Sequence, residues 1–108
     1  FELVDILLVN EIESQQLLGI SKNNFKEQAK KLSTLVSKTI ITLGDKGIVF
    51  CEKNKKPNFL AAHSVKVKSA HGAGDYFAGK FISNFIKTNN FEDSIKIANK
   101  KTSEFISY

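Results

Sequence analysis

Along the chain, short apolar runs alternate with longer stretches whose apolar residues recur every three or four positions, a pattern that predicts strands interleaved with helices. Leu3-Val4-Asp5-Ile6-Leu7-Leu8-Val9 is almost unbroken and apolar, as expected of a strand buried on both faces in a parallel sheet. Asn10 ends it and is a natural helix cap, with Glu13 three residues later completing a capping-box pattern ahead of Leu17 and Leu18. Gly19-Ile20-Ser21 breaks that helix. A second helix is predicted from Asn24 to Ser37, with Phe25, Ala29, Leu32, Leu35 and Val36 on one side and mostly lysine and glutamine on the other. Thr39-Ile40-Ile41-Thr42-Leu43 reads as the next buried strand, stopped by Gly44. Strand, helix and strand in this order favour a right-handed crossover and a parallel sheet.

Ile48-Val49-Phe50-Cys51 predicts a further strand, Lys53 to Asn58 a polar turn around the only proline, and Phe59-Leu60-Ala61-Ala62 the return strand. This meander leads to an alternating segment, Val65-Lys66-Val67, and then to Ser69-Ala70-His71-Gly72-Ala73-Gly74-Asp75-Tyr76-Phe77-Ala78-Gly79. Phe77, Phe81, Ile82, Phe85 and Ile86 continue it at helical spacing. After a polar break at Lys87-Thr88-Asn89-Asn90, a last helix is predicted from Phe91 to Ile106 through Ile95, Ala98, Thr102 and Phe105.

Composition narrows the class. The chain has 108 residues, 42% hydrophobic and 25% charged, which suits one ordinary globular domain, residues 1–108. It starts on Phe1 with no methionine and directly on an apolar run, which suggests a piece of something longer. The net charge of +5 comes entirely from lysine over acid, with no arginine. Planar bidentate readout of bases recruits arginine, so the lysines read as solvated faces and a nucleic-acid partner is not expected. Cys51 is the one cysteine, so a disulfide framework is excluded and a reducing compartment is favoured. No apolar stretch approaches membrane-spanning length. The expected location is cytoplasmic, with no membrane partner.

The glycine-rich stretch is where chemistry is expected. Gly72 and Gly74 permit backbone angles that a side chain would forbid, and the small Ala73 lets a ligand approach the main chain. A strand, a tight turn and a helix start aim unpaired N–H groups and the positive end of the helix dipole at one spot, which suits a phosphate or a developing oxyanion. Asp75 follows in the first turn, within reach of whatever those groups hold, and is placed to take a proton from a hydroxyl attacking phosphorus. The same four residues also read simply as a turn followed by an acid that complements its own helix dipole. Thr42-Leu43-Gly44-Asp45-Lys46-Gly47 reads, from spacing alone, as a hairpin turn. His63 has no second histidine or cysteine at ligand spacing and is not expected to bind metal.

Gly72-Ala73-Gly74-Asp75, followed by Phe77 and Gly79, resembles the C-terminal signature of the ribokinase, or PfkB, family of carbohydrate kinases. The resemblance implies that Gly72, Ala73 and Gly74 form the anion hole for the transferred phosphoryl group and that Asp75 is the catalytic base. Asn10-Glu11-Ile12-Glu13 is similar to the family's Asn-x-x-Glu motif, which organises magnesium and phosphate. Thr42, Gly44 and Gly47 are similar to its Thr-x-Gly-x-x-Gly element, which lines the nucleotide site. By the same resemblance Ala98 and Asn99 fall on the helix that borders the adenine. The chain departs from the pattern at Ser69-Ala70, where the family commonly has Asp-Thr, and at Lys80, where a small residue is usual.

The implied fold is an α/β sandwich fragment of the ribokinase type, a mostly parallel sheet flanked by helices with a β-meander before the glycine-rich turn. The implied activity is ATP-dependent phosphoryl transfer to a hydroxyl of a sugar or nucleoside. Glu13 would serve magnesium, and Asn10, Thr42, Gly44, Gly47 and Asn99 the nucleotide; a monovalent cation and a homodimer of the longer protein are left open. The N-terminal sugar-binding region and lid of the family have no counterpart in this chain, so it is expected to be inactive alone. The competing reading is a non-catalytic remnant that binds nucleotide or serves as an interaction module.

Overall fold

The computed structural model describes residues 6–19, 24–63 and 72–107. The chain divides into two compact units, one running to Ala61 and the other starting at Ala62. The first unit holds β1 (Ile6–Asn10), α1 (Glu11–Leu18), α2 (Phe25–Leu32), β2 (Lys38–Thr42), β3 (Gly47–Glu52) and β4 (Asn58–Ala61). The second holds α3 (Ala73–Thr88) and α4 (Phe91–Ile106). Val65-Lys66-Val67 and the Ser69-Ala70-His71 approach to the glycines lie outside the described residues, as does the start of the first strand, Leu3 to Asp5.

The four strands lie in the order β1-β2-β3-β4. β1 and β2 are parallel, with Leu8 opposite Ile40 and Asn10 opposite Thr42. β2, β3 and β4 form the expected antiparallel meander. Among the described residues the sheet is mixed: the crossover through α1 and α2 makes the parallel connection, and the expected meander supplies the two short reversals.

The core of this unit follows from alternation along the strands. Val9, Ile41, Leu43, Val49 and Cys51 meet Phe25, Ala29 and Leu32 of α2 in one buried cluster. Phe25, Gln28, Ala29 and Leu32 are the inward positions of α2, spaced at three and four residues. Ile40, Ile48 and Phe50, the alternate positions of β2 and β3, are buried as well, so these strands carry apolar residues on both faces. β1 differs from expectation: of its five residues only Val9 is buried. Among the described residues it pairs with β2 alone, and an edge strand keeps one side uncovered. α1 packs on a polar contact, the Ser14 hydroxyl donating to Gln28 Oε1 at 2.6 Å with both residues buried.

The predicted second helix is shorter than its pattern suggested and stops at Leu32. Ser33 caps the helix, its N–H still bonded to the Ala29 carbonyl at 2.9 Å, and its side chain makes buried bonds. Its hydroxyl pairs with the Thr39 hydroxyl at 2.8 Å and lies 3.1 Å from the Cys51 carbonyl. The Thr34 hydroxyl closes on the Lys31 carbonyl at 2.7 Å. Leu35, expected on the apolar side, falls beyond the helix and is 75% exposed.

In the second unit α3 and α4 are joined through Asn89 and Asn90. Asn89 ends α3 in the left-handed region, φ 54°, and the Asn90 side chain accepts the Asp93 N–H at 3.0 Å to start α4. Phe77 and Phe81 of α3 and Phe91, Ile95 and Ala98 of α4 are buried. Phe91 meets the rings of Phe81 and Phe85 edge-on, with centroids 5.9 and 6.4 Å away. Ile82 and Ile86, part of the same sequence periodicity, face outward. Among the described residues no helix is long and apolar enough to cross a membrane.

Phe81 is wholly buried, whereas Ile86 on the same helix is 77% exposed. Phe81→Ala is therefore expected to destabilise the α3–α4 unit by about 3–5 kcal/mol. Ile86→Ala should stay within about 0.5 kcal/mol. Urea unfolding followed by far-ultraviolet circular dichroism checks both, and equal effects would contradict this packing.

Candidate active site

At the carboxyl end of the parallel strand pair, the Asn10-to-Glu13 and Thr42-to-Gly47 segments are neighbours, because Asn10 and Thr42 are partners across the β1–β2 ladder. Asn10 caps α1: its Oδ1 accepts the Glu13 N–H at 2.8 Å, and Glu13 Oε1 accepts the Asn10 N–H at 3.0 Å. The predicted capping box is thus present, and it occupies only one carboxylate oxygen of Glu13. Both side chains are exposed. An exposed carboxylate with one oxygen engaged suits a hydrated divalent cation, which commonly takes one or two carboxylates and keeps several waters. Among the described residues no group of three or more His, Cys, Asp or Glu side chains gathers into a preformed metal cage.

Thr42 is half-buried, and its hydroxyl lies 3.5 Å from the Val9 carbonyl, too long for a strong O–H···O bond. Beyond it the chain reverses through one 3₁₀ turn, Gly44 to Lys46, and the Leu43 N–H donates to the Gly47 carbonyl at 2.8 Å. This is the hairpin that spacing predicts. Gly44 has φ +64°, and a Cβ built on it would meet nothing within 4 Å, so glycine is required by backbone angle while the space above the turn stays open. Asp45 and Lys46 are exposed.

Gly72 to Asp75 form the start of α3 in the second unit. Gly72 is the cap residue in the left-handed region, φ 79°, and no side chain caps this end. The first N–H to close on the turn is that of Tyr76, on the Gly72 carbonyl at 3.0 Å. A helix leaves its leading N–H groups without intrahelical partners, so those of Ala73, Gly74 and Asp75 point out of the helix end. No Cβ clash surrounds Gly72 or Gly74. Asp75 is exposed and is the third residue of the helix. Acids also stand third in α1, α2 and α4, as Glu13, Glu27 and Asp93, and there an asparagine side chain takes the third N–H. What sets α3 apart is the missing cap, not the acid.

Of the remaining predicted residues, Asn99 sits on the inner side of α4 at 8% exposure beside the fully buried Ala98. His63 is exposed. Cys51 is buried and its thiol contacts the Lys55 carbonyl at 3.3 Å. Sequence reading gave no role to Tyr76 and named Phe105 only as a position of the last helix. The two rings are stacked at 4.2 Å with planes 6° apart, and Phe105 is 48% exposed. The available signal was Lys80, one helical turn beyond Tyr76, whose Nζ lies 5.4 Å from the Tyr76 ring centroid.

The sequence matches the description pfkB family carbohydrate kinase over residues 1–107. It is 36% identical over 106 residues to a ribokinase of Staphylococcus aureus (strain COL), covering 94% of this chain and 34% of that protein. Among solved structures, adenosine kinase from Anopheles gambiae, in complex with P1,P4-di(adenosine-5) tetraphosphate, superposes with a TM-score of 0.84 at 20% identity, over 95% of this chain and 34% of its own. Arabidopsis thaliana ribokinase complexed with ribose and ATP superposes at 0.80 with 25% identity, over 92% of this chain and 33% of its own. The chain thus spans about a third of the length of these relatives. Its fold is that of the ribokinase-like kinases, and the chain belongs to the pfkB family of carbohydrate kinases.

Proposed function

We propose that this chain is the nucleotide-side, catalytic portion of an ATP-dependent kinase that phosphorylates a hydroxyl of a sugar or nucleoside. The observation that carries the reading is the uncapped start of α3, with Gly72 left-handed and Asp75 in the first turn, inside a chain of this family. Asp75 takes the proton of the acceptor hydroxyl as it attacks the γ-phosphorus. The N–H groups of Ala73, Gly74 and Asp75, offered by the turn at Gly72, accept the charge that builds on the transferred phosphoryl oxygens. Thr42, Gly44 and Gly47 line the nucleotide, with the open space over Gly44 admitting it to the main chain. Asn99, with little exposed surface, is given no more than the border of the adenine.

Magnesium belongs to this reading as a hydrated ion ordered by Glu13 and Asn10. When bound it neutralises polyphosphate charge. A monovalent cation and a homodimer of the longer protein remain part of the reading without residues assigned to them. The nucleotide is supported by the ATP in the Arabidopsis ribokinase, whose name also gives ribose as a ligand. The buried, unpaired Cys51 suits a reducing, cytoplasmic setting.

The acceptor site is assigned to the part of the family's length that this chain does not span. The 108-residue chain should therefore bind MgATP without turning over a sugar or nucleoside. At ten times its Kd, MgATP should raise the melting temperature by about 5 °C. In the full-length protein, Asp75→Asn should lower kcat by about a thousandfold while the KM for ATP stays within about threefold. Steady-state kinetics with excess acceptor checks this, and a variant with near-native kcat would remove Asp75 from the chemistry.

Lys80, a bulky cation beside Tyr76, favours a second reading, a non-catalytic nucleotide-binding or interaction module. Ser69-Ala70, which points the same way, lies outside the described residues. The melting experiment separates nucleotide binding from a purely interacting module: no shift at millimolar MgATP favours the latter.

A further inference from the structure

Among the described residues, three of the four α-helices begin on an asparagine whose side chain accepts an N–H from the first turn, at 2.8 Å for α1, 3.2 Å for α2 and 3.0 Å for α4. α3 begins on Gly72 with no such bond. With glycine at the cap position, the missing side-chain bond weakens the helix end by only a few tenths of a kcal/mol. Gly74 and Gly79 lie in its first two turns, and glycine inside a helix adds about 0.5–1 kcal/mol of cost at each position. The start of α3, where the candidate base sits, is thus the least self-supporting helix end among those described.

Its support comes from outside the helix. Tyr76, the residue after Asp75, stacks face to face on Phe105 in the last turn of α4, with centroids 4.2 Å apart and planes 6° from parallel. The Lys80 ammonium lies 5.4 Å from the Tyr76 ring centroid and adds a cation–π contact. The ring cluster of the buried Phe81 and Phe91 with the half-buried Phe85 lies towards the other end of α3, near the link to α4.

We propose that Tyr76 and Phe105 are positioning residues for Asp75: their stack ties the uncapped start of α3 to the end of α4 and holds the Gly72-to-Asp75 turn in place. The part played by Asp75 rests on the kinase reading above, whereas the tie is a property of this chain. Family function therefore reaches the last helical turn of α4 through a ring contact rather than through a group that touches substrate.

The test is amide hydrogen exchange and ¹H–¹⁵N shifts on the labelled 108-residue chain. Phe105→Leu keeps an apolar side chain but removes the stack. It should speed exchange at Tyr76 about fivefold and move the Ala73 to Asp75 resonances, while Ser94 and Ile95 stay within about twofold. Tyr76→Leu should give the same local pattern, and Phe105→Tyr, which restores a ring, should return the native one. Native exchange at Tyr76 in both leucine variants, or a uniform rise along α3 and α4, would overturn the proposal. A parallel MgATP titration isolates the kinase reading: unmoved amides at residues 72 to 75 in the native chain would count against that reading, and the leucine variants would still decide the tie.

Discussion

An amide N–H that opens a helix must find a partner, and how each helix of this protein meets that demand governs what its end can do. α1, α2 and α4 satisfy it internally with Asn10, Asn24 and Asn90. At each of those ends the side chain takes the third N–H, and the acid at that third position complements the dipole, Glu13 also closing a capping box on the Asn10 N–H. At α3 the cap position is Gly72, which has no side chain to offer and whose left-handed backbone turns the chain directly into the helix. The demand is left for something outside the helix to meet. A tetrahedral or trigonal phosphoryl group, negatively charged and ringed with acceptor oxygens, is chemically suited to it.

The first unit solves a different problem. Only one of its strand connections runs parallel, yet that one connection brings Asn10 and Thr42 to the same ladder position. Because residues at the carboxyl end of adjacent parallel strands open on the same crevice, a capping box and a hairpin turn become neighbours. Each has an ordinary structural job. Asn10 and Glu13 cap a helix, and Gly44 reverses the chain at φ +64°. Those jobs leave over a second carboxylate oxygen, a weakly engaged Thr42 hydroxyl and open space above a glycine, and the proposed function draws on these.

Packing within the second unit is graded along its length. Near the link the rings of Phe81, Phe85 and Phe91 interlock, and the Asn84 side chain donates to the Ser94 hydroxyl at 3.1 Å. Towards the glycine-rich end the described ring contacts are the half-exposed pair of Tyr76 and Phe105 and the stack of the buried Phe77 on Phe81. A turn kept free of side chains, as at Gly72, lacks the features that would stiffen it. The ring pair supplies stiffness without adding an atom to the turn itself.

Much of this was legible in the residues alone, because it is local. The capping box at Asn10 and Glu13, the meander around Pro57 and the α4 boundaries all follow from side chains acting within a few positions of themselves. The glycine-rich signature likewise named its family without coordinates. Two features were decided only by tertiary structure. The Ser33 hydroxyl at the end of α2 found buried partners in the Thr39 hydroxyl and the Cys51 carbonyl, which no helical pattern specifies. Phe105, predicted only as a position of the last helix, met Tyr76 at an open helix end. Local propensity specifies a helix and its caps; which ring meets which across two helices depends on their relative placement, and no window of sequence contains that.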